Sequence, residues 1–218
     1  MRLRSSLFAL LLLAAPTSAQ PAQQAPDLSQ LLQAFSRMPG LEARFVEKKR
    51  IGILAQPLES RGRLYFTRPG LLLRRVESPR RSEVVITPRE LKLRDADGEQ
   101  SIDLRARPDV RPFVESLTWL LAGDQKALAS VYVLAFERGQ GAAQGSWQLT
   151  LTPRAEPLSH LIAYVRVLGA GLAVREIQVK EKSGDETVTE IVEANPARTF
   201  APAEQKSLFG VETVSSRP

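Results

Sequence analysis

The sequence predicts an α+β protein built on a curved antiparallel sheet of about 11 strands, with helices laid across one face. Three observations carry that expectation. A two-residue apolar alternation recurs in two blocks, residues 41–104 and 132–193. Turn residues, chiefly Pro-Gly, Asp-containing and Gly-containing clusters, cut both blocks into short segments. Helical spacing occurs only ahead of the first block and between the two.

Behind Asp27, Leu28, Leu31, Leu32 and Phe35 recur at helical spacing, and Met38-Pro39-Gly40 ends that helix. From Leu41 the period becomes two, with Leu41, Ala43 and Phe45 alternating with Glu42, Arg44 and Val46. After a loop over 51–59, Gly62, Leu64, Phe66 and Arg68 share one face of the next strand, which sets a cation on an apolar side. Pro69-Gly70 turns the chain into a strand over 71–76, and shorter strands follow over 84–87, 91–94 and 101–104. Asp95 to Gly98 reads as a hairpin turn.

The alternation breaks at Pro108. Val110, Phe113, Val114, Leu117 and Leu120 then follow helical spacing, with Pro112 early enough for a first turn and Trp119 off the stripe, at the helix edge. Gly123-Asp124 stops this helix, and 126–130 adds a further helical turn. Tyr132, Leu134 and Phe136 restart the alternation, and Trp147, Leu149 and Leu151 form its cleanest instance. Strands over 162–168, 172–182 and 186–193 complete a second meander. A curved sheet of this size, closed incompletely, encloses space that side chains do not fill, and a helical lid would cover it.

Arg2 and Arg4 precede an apolar run over 7–15, and Pro16 to Ala19 supplies a break and small residues, the layout of a cleavable leader over 1–19. The apolar run falls short of the ~20 residues a membrane-spanning helix needs. Residues 20–218 are expected to form a single domain, opening with a polar disordered stretch over 20–26. No cysteine is present, which excludes a disulfide framework and a lipidated N-terminal cysteine. The formal net charge of +6 falls to +4 once Arg2 and Arg4 are removed, and the arginines are scattered, so no nucleic-acid partner is expected.

Chemistry finds little purchase. The single histidine, His160, has Ser159 as its immediate neighbour, which on a strand would point the opposite way, and no Gly-x-Ser-x-Gly elbow occurs. Zinc would require more His or Cys than one histidine, and no phosphate-cradling glycine loop is present. No enzyme activity, metal or cofactor is expected, which leaves binding by apolar burial.

The segment Pro57-Leu-Glu-Ser-Arg-Gly-Arg-Leu-Tyr-Phe-Thr-Arg-Pro69 resembles the strand pair near the start of the periplasmic lipoprotein carriers, the LolA family. Leu149 to Pro153 resembles their leucine-threonine-proline strand end, and the element order matches across most of the chain. The resemblance implies an incomplete barrel with a helical lid, and for Arg68 hydrogen bonding between barrel and lid. It implies that Leu72 sits at a cavity mouth. Where such carriers place a tryptophan, this chain has Arg74, followed by Arg75, which points to an anionic or glycolipid head group meeting one of them.

The apolar cavity is expected to involve Phe45, Leu64, Phe66, Leu72, Leu32, Phe35, Phe113, Leu117, Trp147 and Leu149, each of which would look the same in sequence if it were plain core. The function implied is that of a monomeric periplasmic carrier of a lipidated protein or other lipid cargo. An inner-membrane donor complex and an outer-membrane acceptor would be its partners. The alternative is a periplasmic sensor on the same scaffold that binds a membrane-protein partner.

Overall fold

The computed structural model describes residues 25–109, 111–139 and 145–210. The leader expected over 1–19 and Val110 lie outside them. Asp27 caps helix α1 (Leu28–Arg37) through a capping box. Its carboxylate accepts from the Gln30 backbone N–H at 2.8 Å, and the Gln30 side chain accepts from the Asp27 N–H at 3.0 Å. Of the disordered stretch expected over 20–26, residues 20–24 lie outside the described residues, and the expectation is corrected at Ala25, which is buried against the core.

Among the described residues, eleven strands follow in two meanders. The first comprises β1 (Gly40–Arg50), β2 (Leu58–Thr67), β3 (Leu71–Ser78), β4 (Ser82–Ile86), β5 (Glu90–Asp95) and β6 (Gly98–Asp103). Helices α2 (Arg111–Ala122) and α3 (Gln125–Val131) interrupt, and β7 (Tyr132–Arg138), β8 (Ser146–Pro153), β9 (Ile162–Ala170), β10 (Ala173–Glu181) and β11 (Glu186–Asn195) complete the sheet. A short helix, α4 (Leu158–Leu161), precedes β9, and α5 (Pro202–Phe209) ends the described chain.

The order is β6-β5-β4-β3-β2-β1-β11-β10-β9-β8-β7, with β6 and β7 as unjoined edges. The two meanders meet where β1 pairs antiparallel with β11, so chain-distant Phe45 and Ile191 stand side by side. The result is an open antiparallel half-barrel with a helical lid.

Two packed clusters anchor the lid to opposite wings. Leu31, Leu32 and Phe35 of α1 and Leu128 of α3 pack on Tyr132, Trp147, Leu149 and Val167. Val114 and Leu121 of α2 pack on Phe66, Leu72, Ile86 and Leu91. Trp147 acts as a pillar of the first cluster: its indole N–H donates to the Gly171 carbonyl at 2.7 Å, and its ring fills the place a side chain on Gly169 would take. On the outer face, Phe200 and Phe209 cover Tyr65, Leu71, Leu73 and Val85. Helix α5 escaped the sequence reading because it buries little beyond Phe209; Pro202 at its start and Gly210 in the left-handed region at its end were the available signal.

Candidate functional site

Between the two clusters the inner face of the sheet and the underside of α2 fail to meet. Two hollows result, of about 330 and 390 Å³, within the size range of ligand-binding cavities. The smaller is walled by Phe35, Met38, Leu41 and residues of β10 and β11, while the larger is walled by Phe45, Tyr132, Leu151, Val165 and Val179. Leu64, Leu117, Leu120, Ile177 and Ile191 belong to both walls, so Leu117 and Leu120 of α2 divide what would otherwise be one trough. A larger concavity of about 670 Å³ lies elsewhere, among Arg80, Arg81, Arg94, Asp95 and Asp97 at the β3–β4 and β5–β6 turns, and it is lined mainly by charged side chains.

The predicted cavity residues divide by geometry. Phe45, Leu64, Phe35, Phe113 and Leu117 line the hollows, and Phe113 is 47% exposed at the rim of the larger one. Leu32, Phe66, Leu72, Trp147 and Leu149 line neither; each is buried in one of the two flanking clusters. The cavity role expected for these five is corrected to core, and with it the mouth position expected for Leu72. They share a face with the lining residues, and strand parity cannot tell a packed partner from an empty one. Wall residues missed include Tyr132, Ile177, Val179 and Ile191, together with Glu47, whose parity with Phe45 was the available signal.

Arg68, immediately past β2, extends to the ends of both lid helices. Its Nε donates to the Met38 carbonyl at 3.0 Å, and one Nη donates to the carbonyls of Phe35 at 3.0 Å and Ala122 at 3.4 Å. These are terminal carbonyls of α1 and α2, where intrahelical donors run out and the helix dipole is negative. A second tie lies at the opposite wing, where the Tyr132 and Ser116 hydroxyls share a hydrogen bond of 2.7 Å from β7 to α2.

Burial pushes the Tyr132 phenol above its ordinary value, and the Ser116 hydrogen bond opposes that only in part. A folded-state pKa raised above the unfolded one means that the stability Tyr132 contributes is complete below about pH 10 and is lost as pH rises through the folded value. The urea midpoint should therefore fall more steeply with alkaline pH in the native chain than in Tyr132→Phe; parallel curves would remove Tyr132 as the cause.

Arg74 and Arg75 face opposite ways. Arg74 lies in the wall of the larger hollow, with its guanidinium 4.8 Å from the Phe45 ring centroid and 2.8 Å from Glu47. Arg75 lies on the outer face, 2.6 Å from Glu83 and over Tyr65, so a head-group contact inside the cavity is corrected for this residue. His160 is exposed on α4, in contact with Glu156.

A family of proteins described as outer membrane lipoprotein carrier protein LolA-like matches residues 19–209. No curated protein sequence matches. Among solved structures, a LolA superfamily protein from Nitrosomonas europaea is similar at 11% identity, covering 85% of this chain and 98% of that one, with a TM-score of 0.45. A DUF1329 family protein from Desulfovibrio piger is similar at 10% identity over 84% and 96% of the two chains, with a TM-score of 0.47. The Pseudomonas aeruginosa MucA/MucB complex is matched at 16% identity over 78% of this chain, which spans 57% of that one, with a TM-score of 0.44. With the family match running through the lid, both meanders and the hollow between them, the chain belongs to the LolA-like outer membrane lipoprotein carrier family.

Proposed function

We propose that the chain is a periplasmic carrier, exported by the leader over 1–19, that shelters the acyl chains of a lipidated protein or lipid-like cargo and passes them toward the outer membrane without breaking bonds. The observation that carries this reading is the pair of apolar hollows beneath α2. A buried methylene contributes ~0.8 kcal/mol, so a partly enclosed acyl chain is held without any polar motif. Transfer further requires a lid that can move, and Arg68 supplies a polar tie that a loading partner could break, beside the apolar clusters that anchor α1 and α2. An inner-membrane donor and an outer-membrane acceptor would complete the route.

Organic extraction of the purified protein under denaturing conditions, followed by lipid mass spectrometry, tests the reading. Stoichiometric amphiphile is expected. A protein free of lipid that instead captures the periplasmic domain of a membrane protein would replace the carrier with a sensor.

Arg68→Leu removes three hydrogen bonds made by a charged donor, each worth on the order of 1 kcal/mol net, and leaves terminal carbonyls to water. Amides of α1 and the last turn of α2 are expected to exchange faster by at least about tenfold, and bound acyl probe to dissociate faster. Unchanged exchange and release would remove Arg68 from the latch.

A further inference from the structure

We infer that Arg74 and Glu47 form a charge-neutral head-group subsite in the wall of the larger hollow, one that accepts an acyl chain through an uncharged ester or amide carbonyl and disfavours a free carboxylate. The inference rests on the carrier reading above and narrows its cargo.

The site is assembled from four strands. Arg74 on β3 points inward beside Leu64 of β2, its cross-strand neighbour. Glu47 is on β1 and Thr189, its register partner, on β11. Under the Arg74 guanidinium lies the Phe45 ring, whose tip would be 2.9 Å from a Cβ on Gly62, with the Arg75 carbonyl oxygen closer still at 1.9 Å. Glycine at 62 thus lets Phe45 lie flat, and Arg74 crosses its face to reach Glu47.

Hydrogen-bond capacity decides what else can bind. One Glu47 oxygen accepts from Arg74 at 2.8 Å, and the other accepts from the Thr189 hydroxyl at 2.9 Å. Arg74 carries five N–H donors, and among the described residues Glu47 is its one hydrogen-bond partner. Arg74 therefore keeps donors to spare for an acceptor on the ligand, while each Glu47 oxygen is already engaged once within the protein.

Charge then selects among acceptors. Arg74 and Glu47 are 28% and 18% exposed in their side chains, so their mutual neutralisation is only weakly screened by water. A ligand carboxylate at Arg74 would stand beside the Glu47 carboxylate, a like charge in a mostly apolar cavity. An ester or amide carbonyl takes the same donors without that repulsion, while its chain lies along Leu117, Val165 and Ile177. A neutral pair thus performs a selection that an isolated arginine would reverse.

Competition against a fluorescent acyl probe tests this, with 1-monolauroylglycerol and laurate compared at pH 8, where laurate is ionised. The wild-type protein is expected to bind the monoglyceride more tightly. Glu47→Gln keeps the shape and removes the negative charge: its Oε1 still accepts from Arg74, and its Nε2 donates to the Thr189 hydroxyl oxygen in place of the bond accepted there. It is expected to raise the affinity for laurate relative to the monoglyceride by about tenfold, and the double variant Glu47→Gln with Arg74→Met is expected to lose that gain. Equal binding of the two ligands by the wild type would overturn the subsite and leave the carrier reading standing. So would an unchanged ratio in folded Glu47→Gln, or a gain that survives in the double variant. Failure of both ligands to displace the probe from the wild type would overturn the carrier reading as well.

Discussion

Gly123→Ala is expected to destabilise the protein by about 3 kcal/mol or more. Gly123 closes α2 with φ +70°, in the left-handed region that side chains resist. Crowding adds to the conformational penalty: a Cβ at this position would lie 2.1 Å from the Leu32 carbonyl oxygen and 2.8 Å from the Ser36 nitrogen. Both are backbone atoms of α1, so no rotamer change relieves the overlap and the helix itself must move. That movement would strain the bonds from Arg68 to Phe35 and Met38 and open the packing of Leu31, Leu32 and Phe35. Gly210 supplies the control, because it has φ +67° with nothing within 4 Å of a Cβ. Gly210→Ala should cost about 1 kcal/mol from conformation alone. Urea unfolding of the two variants separates the contributions, and equal losses would show that α1 does not abut the end of α2.

The way the lid meets the sheet explains what could be read from the chain beforehand. Both meanders, the strand total and the positions of α1 and α2 were legible because alternation and helical spacing are local properties, set by which face each residue presents. Parity likewise placed Arg68 on the inner side, and its reach to three carbonyls is consistent with that face. The hollow itself was not legible. Leu64 and Phe66 share a strand face, yet Leu64 borders empty space and Phe66 is fully buried under α2. That difference depends on how far α2 stands off the sheet, which is settled by contacts between segments remote in sequence, such as Gly123 against Leu32. The same holds for Arg74. Its inward direction follows from its strand, but its neutralisation by Glu47 requires β1 and β3 to be held at one distance across Gly62.

The position of Leu117 in both walls makes it the residue through which occupancy can be tested most directly. Leu117→Trp should abolish acyl-probe binding, lowering affinity by at least about tenfold, while the fold stays within about 1 kcal/mol of the native chain. Overpacking a filled core costs ~1–3 kcal/mol because neighbours must move. At Leu117 the added ring enters space already empty on either side, so the usual penalty is largely absent. A tryptophan there would project from this partition into the hollows it separates, taking the room an acyl chain needs. Binding and stability are thereby expected to separate, which mutations in the flanking clusters cannot achieve: Phe66→Ala should cost about 3–5 kcal/mol and impair binding only through unfolding. Calorimetric unfolding together with probe titration of Leu117→Trp reads both quantities on one sample. A stable variant that still binds the probe at native affinity would place the ligand outside the trough, and a variant that unfolds like Phe66→Ala would mean that α2 lies closer to the sheet than the two hollows require.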